Sequence, residues 1–507
     1  MVVKRRGRRG DAYSESSEDH FRGASPANSS ISFRNNEPKR LTFGRVLTKV
    51  LLAMTMVAIG WVGHGTFRST QSVQTNSPTQ GVADPPWWLE QDEDDFFSRT
   101  YIEGLSAVRN LSVKDFFTGM CGRYRFDEDN MPNASIVATV QNEQDGMLTL
   151  TIHSILARTP PSLLKEIIIV DDNGLGEVRG PVNETELEEL KKLDPRITIL
   201  TNERREGVAR CRMRGARAAT GDVLVFIDSH IEMLSATWLQ HLLVPITENP
   251  RTLAAQTLDI INDMDWTYGT GSGDLLYGVI TDKFWFGYQR SRFGGPDDNG
   301  DEREAPGRRL PYETPFAAGS LFAIRRDEFF RLGGYDEGMY VWGGENTDFA
   351  IKVWACGGRL VMVPCSRVGH MYRIHLDEVG RWPPVIPESL TDRLDLARDA
   401  PYEVDGHPAD NFTKIITRNN IRVLERWAKN SNARTGFYKL MFGAENLPEE
   451  WQAFADQMGD DPYAQQQEQY LQKNGCKDFN WFDKHVYFKL TGVHHPWHPE
   501  SPGRTWV

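Results

Sequence analysis

Residues 135–172 read SIVATVQNEQDGMLTLTIHSILARTPPSLLKEIIIVDD. The runs at 135–140 and 165–172 are apolar and short, which predicts two buried β-strands. Between them lie apolar residues at helical spacing, Leu148, Ile152 and Ile155. A strand, a helix and a second strand in this order predict a right-handed β–α–β unit whose two strands are parallel.

The same alternation continues downstream. Helical patterns at 183–193 and 207–219 alternate with strand patterns at 196–200 and 222–228. The strands are apolar throughout and do not alternate with polar residues, as is typical of a sheet covered by helices on both faces. We therefore predict an α/β fold with a mainly parallel sheet flanked by helices.

Polar residues follow three of the predicted strands. They are Thr139 to Glu143, the pair Asp171 and Asp172, and the segment Asp228 to His230. Ligands of open α/β sheets bind outside the carboxyl ends of the strands. These three features are therefore expected on one rim of the sheet, around a ligand.

Asp228 and His230 stand two residues apart at the end of the strand pattern DVLVFID. Side chains at positions i and i+2 of an extended segment point to the same side. A carboxylate and an imidazole together suit Mn²⁺ among other divalent cations. The alternative is that Asp228 caps the following helix and His230 packs beneath it.

The charge is unevenly distributed along the chain. The chain has 507 residues and a formal net charge of -12, yet its first 49 residues hold eleven Lys or Arg against five Asp or Glu. The remainder is therefore acidic, which excludes nucleic acid as a partner of the main body.

The stretch VLTKVLLAMTMVAIGWVG at 46–63 is the one membrane-span candidate in the sequence. Its basic flank is on the N-terminal side, which places that side in the cytoplasm. We predict a disordered cytoplasmic tail at 1–45, a single-pass anchor at 46–65, a stem at 66–115 and a luminal body from 116 onward. The alternative is a buried helix of a soluble protein.

Five cysteines without metal-finger spacing are compatible with disulfides in a lumen. Asn-X-Ser/Thr triplets also suit a glycoprotein in a lumen, at Asn110, Asn133, Asn183 and Asn411. The end of the chain, GVHHPWHPESPGRTWV, holds three histidines within five residues. We interpret 491–507 as a solvated tail rather than as a metal site.

Four longer stretches follow one another in a specific order. They are PPSLLKEIIIVDD at 160–172, NERREGVARCRMRGA at 202–216 followed by FIDSH, YVWGGENTDFAIKVWACGGRLVMVPCSRVGHMYR at 340–373, and CKDFNWF at 476–482. Together they resemble the polypeptide N-acetylgalactosaminyltransferase family over about residues 121–488. The resemblance implies a glycosyltransferase domain of GT-A type at 116–490, in the Golgi membrane with type II topology.

The resemblance also implies an activity. Members of this family transfer GalNAc from UDP-GalNAc to Ser or Thr of proteins with retention of configuration and with Mn²⁺, which starts mucin-type O-glycans. The implied metal ligands are Asp228, His230 and His370. The implied catalytic residues are Glu345, Asn346, Trp342 and Arg373, the last facing the diphosphate. The implied substrate-binding residues are Thr139, Gln141, Asp172, Arg205, Ser229, Gly319 and Ser320. Because no carboxylate is placed as a nucleophile, assistance by the leaving phosphate is favoured.

The family resemblance further implies two disulfides. Cys121 would pair with Cys365, and Cys356 with Cys476, which leaves Cys211 as a buried free thiol.

The sequence departs from the family pattern at several points. Gln141 replaces a histidine, and Gly319-Ser320 replaces a Gly-Gly pair near the sugar. The segment after Arg373, IHLDEVGRWPP, lacks the His-Pro-Tyr segment that closes over the donor. The chain ends about 20 residues after CKDFNWFDKHVYFKL, so no C-terminal lectin domain is expected.

These departures keep alternatives open. The chain could be a non-catalytic relative that binds peptide or nucleotide sugar, or a transferase with another donor or a glycopeptide acceptor. A hydrolase on the same fold would need a further base that positions water, and the sequence offers no candidate.

Overall fold

The computed structural model describes residues 124–141, 146–172, 184–261, 311–317, 321–371 and 411–499. It also describes ten short stretches or single residues, which are 90–91, 121, 143, 268–269, 276–281, 284, 286–290, 319, 403–404 and 407–408. The predicted tail, the anchor and nearly all of the stem lie outside the described residues. Within the predicted stem, β1 (Glu90–Gln91) pairs antiparallel with β2 (Tyr124–Arg125).

The first half of the main sheet has the order that the sequence predicts. Its elements are β3 (Ala134–Val140), α1 (Met147–Arg158), β4 (Leu164–Asp171), α2 (Glu184–Leu193), β5 (Ile197–Thr201), α3 (Val208–Ala218) and β6 (Val223–Asp228). The strands lie side by side in the order β5-β4-β3-β6, and every pair is parallel. The predicted β–α–β units are thereby confirmed.

The second half departs from a parallel arrangement. Its elements are β7 (Ile231–Met233), α4 (Trp238–Glu248), β8 (Thr252–Ile261), β9 (Tyr268–Gly269), β10 (Leu276–Ile280), β11 (Phe286–Arg290), β12 (Tyr312–Glu313), β13 (Phe322–Arg325), α5 (Arg326–Arg331), α6 (Glu345–Ala355) and β14 (Arg359–Met371). The sheet runs β12-β14-β8-β13-β6-β3-β4-β5. β13 is antiparallel to both of its neighbours, whereas β14 is parallel to β8. The whole sheet is therefore mixed, and the prediction of a mainly parallel sheet holds for its first half.

The chain continues into a helical region. Its elements are the hairpin β15 (Glu403–Val404) and β16 (His407–Pro408), followed by α7 (Asn411–Trp427), α8 (Asn432–Phe442), α9 (Glu449–Gln457), α10 (Pro462–Lys473), α11 (Phe479–Phe482), a π-helical turn (Asp483–Tyr487) and α12 (Phe488–Thr491). Most of the described part of the predicted tail, 491–499, is buried or partly buried. Trp497 packs so closely on Gly436 that a Cβ on this glycine would lie 2.2 Å from Trp497 Cδ1, and His495 is buried. The interpretation of this segment as a solvated tail is therefore wrong for those residues.

Each face of the sheet carries its own hydrophobic cluster. Successive residues of β3 alternate between them: Val137 belongs to the cluster that includes residues of α3 and α6, whereas Ile136 belongs to the cluster that includes residues of α1 and α4. Both side chains are fully buried. Because apolar side chains of β3 point to both faces of the sheet, helices are needed on both faces.

Gly215 sets the distance between α3 and the sheet. A Cβ at this position would lie 2.3 Å from Cγ1 of Val137 and 3.2 Å from Cγ2 of Val170. The helix therefore packs on the strands more closely than an alanine would allow. This approach fixes the helix whose N-terminal end lies beside the rim.

Both predicted disulfides are present. Cys121 is bonded to Cys365 and Cys356 to Cys476, and Cys211 is a buried free cysteine on α3. No helix among the residues that the structure describes is both long and apolar enough to cross a bilayer. The predicted anchor at 46–65 is outside that set.

Candidate active site

The polar residues that follow the parallel strands meet at one edge of the sheet, as predicted. Thr139 of β3 is in register with Asp228 of β6. The backbone amide of Asp172 donates to the carbonyl of Val140 at 2.9 Å. The carboxyl ends of β3, β4 and β6 therefore form a continuous polar rim.

The structure brings Asp228, His230 and His370 together. One potential ligand atom from each residue lies within 4.8 Å of the other two. His370 Nε2 is 3.3 Å from Asp228 Oδ2, and the two imidazole rings are 4.9 Å apart, edge to face. His370 reaches this point because β14 pairs antiparallel with β7, where His370 is opposite Ile231.

Glu143 holds His230 in place. Its Oε2 lies 2.9 Å from His230 Nδ1 and accepts a 2.5 Å hydrogen bond from Ser229 Oγ. Glu143 is fully buried. A carboxylate that accepts a hydrogen bond from Nδ1 leaves Nε2 with the lone pair that a metal binds, and such a contact orients histidine ligands of metals.

Electrostatics keep Asp228 charged. Burial alone would raise the pKa of its carboxyl, but the hydrogen bond with His370 and the nearby positive charges lower that pKa below its ordinary value. One of these charges is Arg212 of α3, which is buried, with Nη2 3.6 Å from Asp228 Oδ1. An ionised carboxylate is the form that ligates a cation.

A second group of predicted residues lies beside the first turn of α3. The Asp172 carboxylate accepts the backbone amides of Glu206 and Gly207, each at 2.8 Å, and Asn202 Nδ2 at 2.7 Å. Burial raises the pKa of Asp172 despite these bonds. The carboxylate therefore shapes the turn that carries Arg205.

Arg205 and Gln141 meet across this turn. Arg205 Nη2 is 3.3 Å from Gln141 Oε1, and burial lowers the pKa of Arg205 although Asp172 opposes that change. Four of the substrate-binding residues that the family resemblance implied thus occupy one part of the rim, namely Thr139, Gln141, Asp172 and Arg205.

The VWGGEN segment forms a strained turn before α6. Val341 has a positive φ of 52°, and Gly343 and Gly344 have φ values of 100° and 81°. Such a conformation in a β-branched residue costs about 1–3 kcal/mol. The Val208 amide compensates by donating to the Val341 carbonyl at 2.8 Å, and the Val341 side chain packs with Ile415 and Ile416.

Glu345 and Asn346 are the first residues of α6, and each has one buried side-chain oxygen that can still accept a hydrogen bond. Gly343 donates its amide to Glu345 Oε2 at 2.7 Å, while Glu345 Oε1 and Asn346 Oδ1 have no hydrogen-bond partner among the described residues. Burial raises the pKa of Glu345, and the charge of Arg212 opposes that rise. Because buried polar atoms are normally satisfied, these two oxygens are suited to a polar ligand.

Hydrogen bonds from Asn419 of helix α7 hold the VWGGEN turn in place. Asn419 accepts the Tyr340 amide at 3.2 Å and donates to the Tyr340 and Trp342 carbonyls at 2.8 and 3.2 Å. Trp342 stacks on Phe412 with ring centroids 6.3 Å apart. Gly319 lies against Asn346. Ser320 and Arg373 lie outside the described residues.

Comparison with known proteins identifies the family. A family model for glycosyl transferase family 2 matches residues 135–331, and one for the N-terminal domain of galactosyltransferase matches 302–377. Polypeptide N-acetylgalactosaminyltransferase 11 of Xenopus tropicalis is 41% identical over 330 residues, which cover 61% of this chain and 50% of the relative. Polypeptide N-acetylgalactosaminyltransferase 10 of Homo sapiens is 40% identical over 265 residues, 52% of this chain and 42% of the relative. The chain thus spans about half the length of these relatives.

A solved structure agrees. The crystal structure of GalNAc-T7 with UDP, GalNAc and Mn²⁺ aligns with a TM-score of 0.57 and 25% identity, over 84% of this chain and 72% of that one. The chain belongs to the polypeptide N-acetylgalactosaminyltransferase family. The family resemblance inferred from the sequence is confirmed, and so is the mixed α/β fold of GT-A type.

The donor set of this family member fits a divalent cation. One carboxylate and two imidazoles converge, Glu143 supports one imidazole, and Asp228 is kept ionised. This combination of oxygen and nitrogen ligands suits Mn²⁺ and similar ions.

Two groups beside the site of this family member were not singled out from the sequence. Glu143 was noted only as part of a polar stretch. Arg212 lies on the buried face of α3 together with Ala209 and Ala216. A charged residue on an otherwise apolar helical stripe was the signal that could have pointed to it.

Proposed function

We propose that this chain transfers GalNAc from UDP-GalNAc to Ser or Thr of protein acceptors, with retention of configuration and dependence on Mn²⁺. The observation that carries this proposal is the convergence of Asp228, His230 and His370 at the carboxyl edge of the sheet. It is supported by family membership and by a relative whose crystal structure is described as containing UDP, GalNAc and Mn²⁺.

Asp228, His230 and His370 would hold the Mn²⁺. When bound, the ion supplies positive charge where negative charge develops on the leaving diphosphate. Arg373 adds a second positive charge at the diphosphate in this proposal. Arg212 supports the metal ligand Asp228, because its guanidinium keeps the Asp228 carboxylate ionised and oriented.

Thr139, Gln141, Asp172 and Arg205 form the uridine end of the site in this proposal. Their role is to place the nucleotide so that its diphosphate meets the rim. Asp172 contributes by fixing the Arg205 turn through its bonds to Glu206 and Gly207. Gln141 stands where the family pattern has a histidine. Its amide can form a hydrogen bond to the nucleotide but, unlike a histidine, cannot carry a positive charge.

Ser229, Gly319, Ser320, Trp342, Glu345 and Asn346 are assigned to the sugar and the reacting centre. The open oxygens of Glu345 and Asn346 are suited to accept hydrogen bonds from sugar hydroxyl groups. Burial and the short bond from Gly343 hold the Glu345 carboxylate in one orientation. The bond between the anomeric carbon and the leaving phosphate breaks while the acceptor oxygen bonds that carbon on the same face, which preserves the configuration. The proton of the acceptor hydroxyl passes to the leaving phosphate.

We also propose a location and domain arrangement. The segment 46–65 anchors the chain in the Golgi membrane, 1–45 lies in the cytoplasm, 66–115 is a stem, and the catalytic body, 116–490, is luminal. Two disulfides in the body favour an oxidising compartment. Protease treatment of intact Golgi vesicles should remove only the N-terminal tail, and complete digestion of the body would contradict this topology.

The activity is tested by following UDP release from UDP-GalNAc with Mn²⁺ and a library of Ser/Thr/Pro-rich peptides. Release that depends on peptide, together with a peptide mass increase of one N-acetylhexosamine, supports the proposal. Release without peptide would identify a hydrolase. Tight UDP binding without release under any of these conditions would identify a binding protein.

The matched variants are His230→Ala and His153→Ala. His230→Ala should abolish Mn²⁺-dependent release because a ligand is lost. His153 is exposed on α1 and is none of the residues assigned to the site, so its replacement should leave release unchanged.

A further inference from the structure

A second set of potential metal ligands lies in the C-terminal region. Asp483, His494 and His498 each offer an atom within 4.8 Å of the others. Asp483 Oδ2 is 2.7 Å from His494 Nδ1, and the two imidazoles stack at 3.6 Å with nearly parallel planes. These residues belong to neither the rim nor the turn before α6.

The cluster is framed on several sides. The Asp483 side chain is only 5% exposed and the His494 side chain 14%. Asp483 Oδ1 also accepts the backbone amide of His495 at 3.1 Å, and the Phe488 ring stacks on His494 at 4.2 Å. The donor atoms of Asp483 and His494 are therefore held in place by their surroundings.

We propose that Asp483, His494 and His498 form a zinc site. Two imidazoles and one carboxylate are a donor set that Zn²⁺ uses, with a water as the fourth ligand. Ligand atoms around tetrahedral Zn²⁺ lie roughly 3.4 Å apart, as follows from ligand distances of about 2.0–2.2 Å. A metal lies in the plane of each imidazole that binds it, so the His498 ring must turn out of its parallel stack with His494 before the three donor atoms reach this spacing.

Binding requires one proton to leave. His494 Nδ1 and Asp483 Oδ2 are 2.7 Å apart, the distance of a hydrogen bond, and such a bond contains one proton. Zn²⁺ would replace that proton between the nitrogen and the oxygen, and the proton would go to solvent. No oxidant, reductant or other reactant takes part.

The site would fasten the end of the chain to the folded body. Trp497, which lies between His494 and His498 in the chain, packs on Gly436 of α8, and its ring is 5.8 Å from the Phe284 ring. A metal joining the π-helical turn to residues 494–498 would hold this packing in place. Zinc should therefore stabilise the C-terminal segment without contributing to transfer.

The test uses the full chain without a histidine tag, stripped with EDTA and dialysed against Zn²⁺. A His230→Ala background removes binding at the rim. Metal content by mass spectrometry should be about one zinc per chain in this background. Adding His498→Gln or Asp483→Asn should weaken zinc binding at least about 100-fold, whereas adding His485→Ala, an exposed neighbour, should not.

A second test uses the chain with its natural sequence, so its result does not depend on whether a variant folds. It measures the chemical modification of individual histidines. Zn²⁺ should slow the reaction of His494 and His498 with diethyl pyrocarbonate and leave His485 as reactive as before. Zinc retained in both ligand variants, zinc lost in the His485 variant, or unprotected tail histidines would each overturn the proposal.

Discussion

Glu143 and His230 are 87 residues apart in the chain, yet Glu143 Oε2 lies 2.9 Å from His230 Nδ1. The contact joins the loop after β3 to the turn after β6. It sets which imidazole nitrogen faces Asp228 and His370. The orientation of a metal ligand is thus decided by a carboxylate that does not itself belong to the ligand set.

Replacing Glu143 with glutamine should weaken Mn²⁺ binding about 10–100-fold, since loss of such a supporting carboxylate has effects of this size. The amide keeps the volume but cannot enforce the same tautomer. Titration of free Mn²⁺ by electron paramagnetic resonance measures the change. Glu203→Gln, on an exposed carboxylate, is the control and should bind as the unmodified chain does. Equal affinities in all three proteins would remove the proposed role of Glu143.

Gly319→Ala should lower kcat/KM for UDP-GalNAc at least about tenfold. A Cβ at Gly319 would lie 1.4 Å from Asn346 Oδ1, so the asparagine must move away from its position at the start of α6. Displacement of a positioning group by about 1 Å can cost two orders of magnitude in rate. Gly459→Ala serves as the control because its nearest neighbour would be 3.6 Å away. Unchanged kinetics in Gly319→Ala would place the sugar elsewhere.

Arg426→Met should lower the free energy of unfolding by about 3–5 kcal/mol, the range for breaking a buried ion pair. Arg426 of α7 bonds Asp336 at 2.6 Å and Asp348 of α6 at 2.8 Å, and all three side chains are buried. Methionine carries no positive charge, so the buried carboxylates of Asp336 and Asp348 each lose one cation that compensates their negative charge.

Urea unfolding followed by tryptophan fluorescence measures this loss. The control is Lys192→Met, which removes an exposed pair with Glu189 whose side chains are 70% and 61% accessible. Exposed pairs contribute only about 0–1 kcal/mol. A similar small loss in both variants would show that the buried network contributes little.

His241 should make stability fall as the pH drops from 6.5 to 4. Burial lowers the pKa of this imidazole to about 4 in the folded chain, against 6.5 when unfolded. Above pH 6.5 both states are neutral and the contribution is complete. Between the two values only the unfolded state binds the proton, so stability declines by up to about 1.4 kcal/mol per pH unit.

His241→Gln should remove that part of the slope. The measurement compares urea midpoints of both proteins at intervals from pH 7 to pH 4. Parallel curves for the two proteins over this interval would mean that His241 titrates alike in both states.

Local sequence patterns predicted much of the first half of the sheet. Every strand and helix predicted between residues 135 and 228 is present within a few residues, because period and length identify such elements. The antiparallel insertion of β13 between β6 and β8 was not predicted. The direction of a strand depends on its partners and not on its own composition.

The residues of the candidate site also fall into those that the sequence predicted and those that it did not. Asp228 and His230 could be paired from their spacing, whereas His370 was added only by the family resemblance. Arg212, Asn419 and the Asp336–Arg426 pair were missed because each acts on an element far along the chain. Asp483 was missed as a partner of the tail histidines for the same reason.

The sequence by itself determined the order of strands and helices between residues 135 and 228, the rim on which Thr139, Asp172 and Asp228 meet, and the family. Tertiary structure alone decided which buried charges face one another, from Glu143 and His230 to Asp336 and Arg426. The physical reason is that periodicity depends on neighbours a few residues away. A buried charge, in contrast, is tolerated only where a partner from a distant segment arrives to compensate its lost hydration.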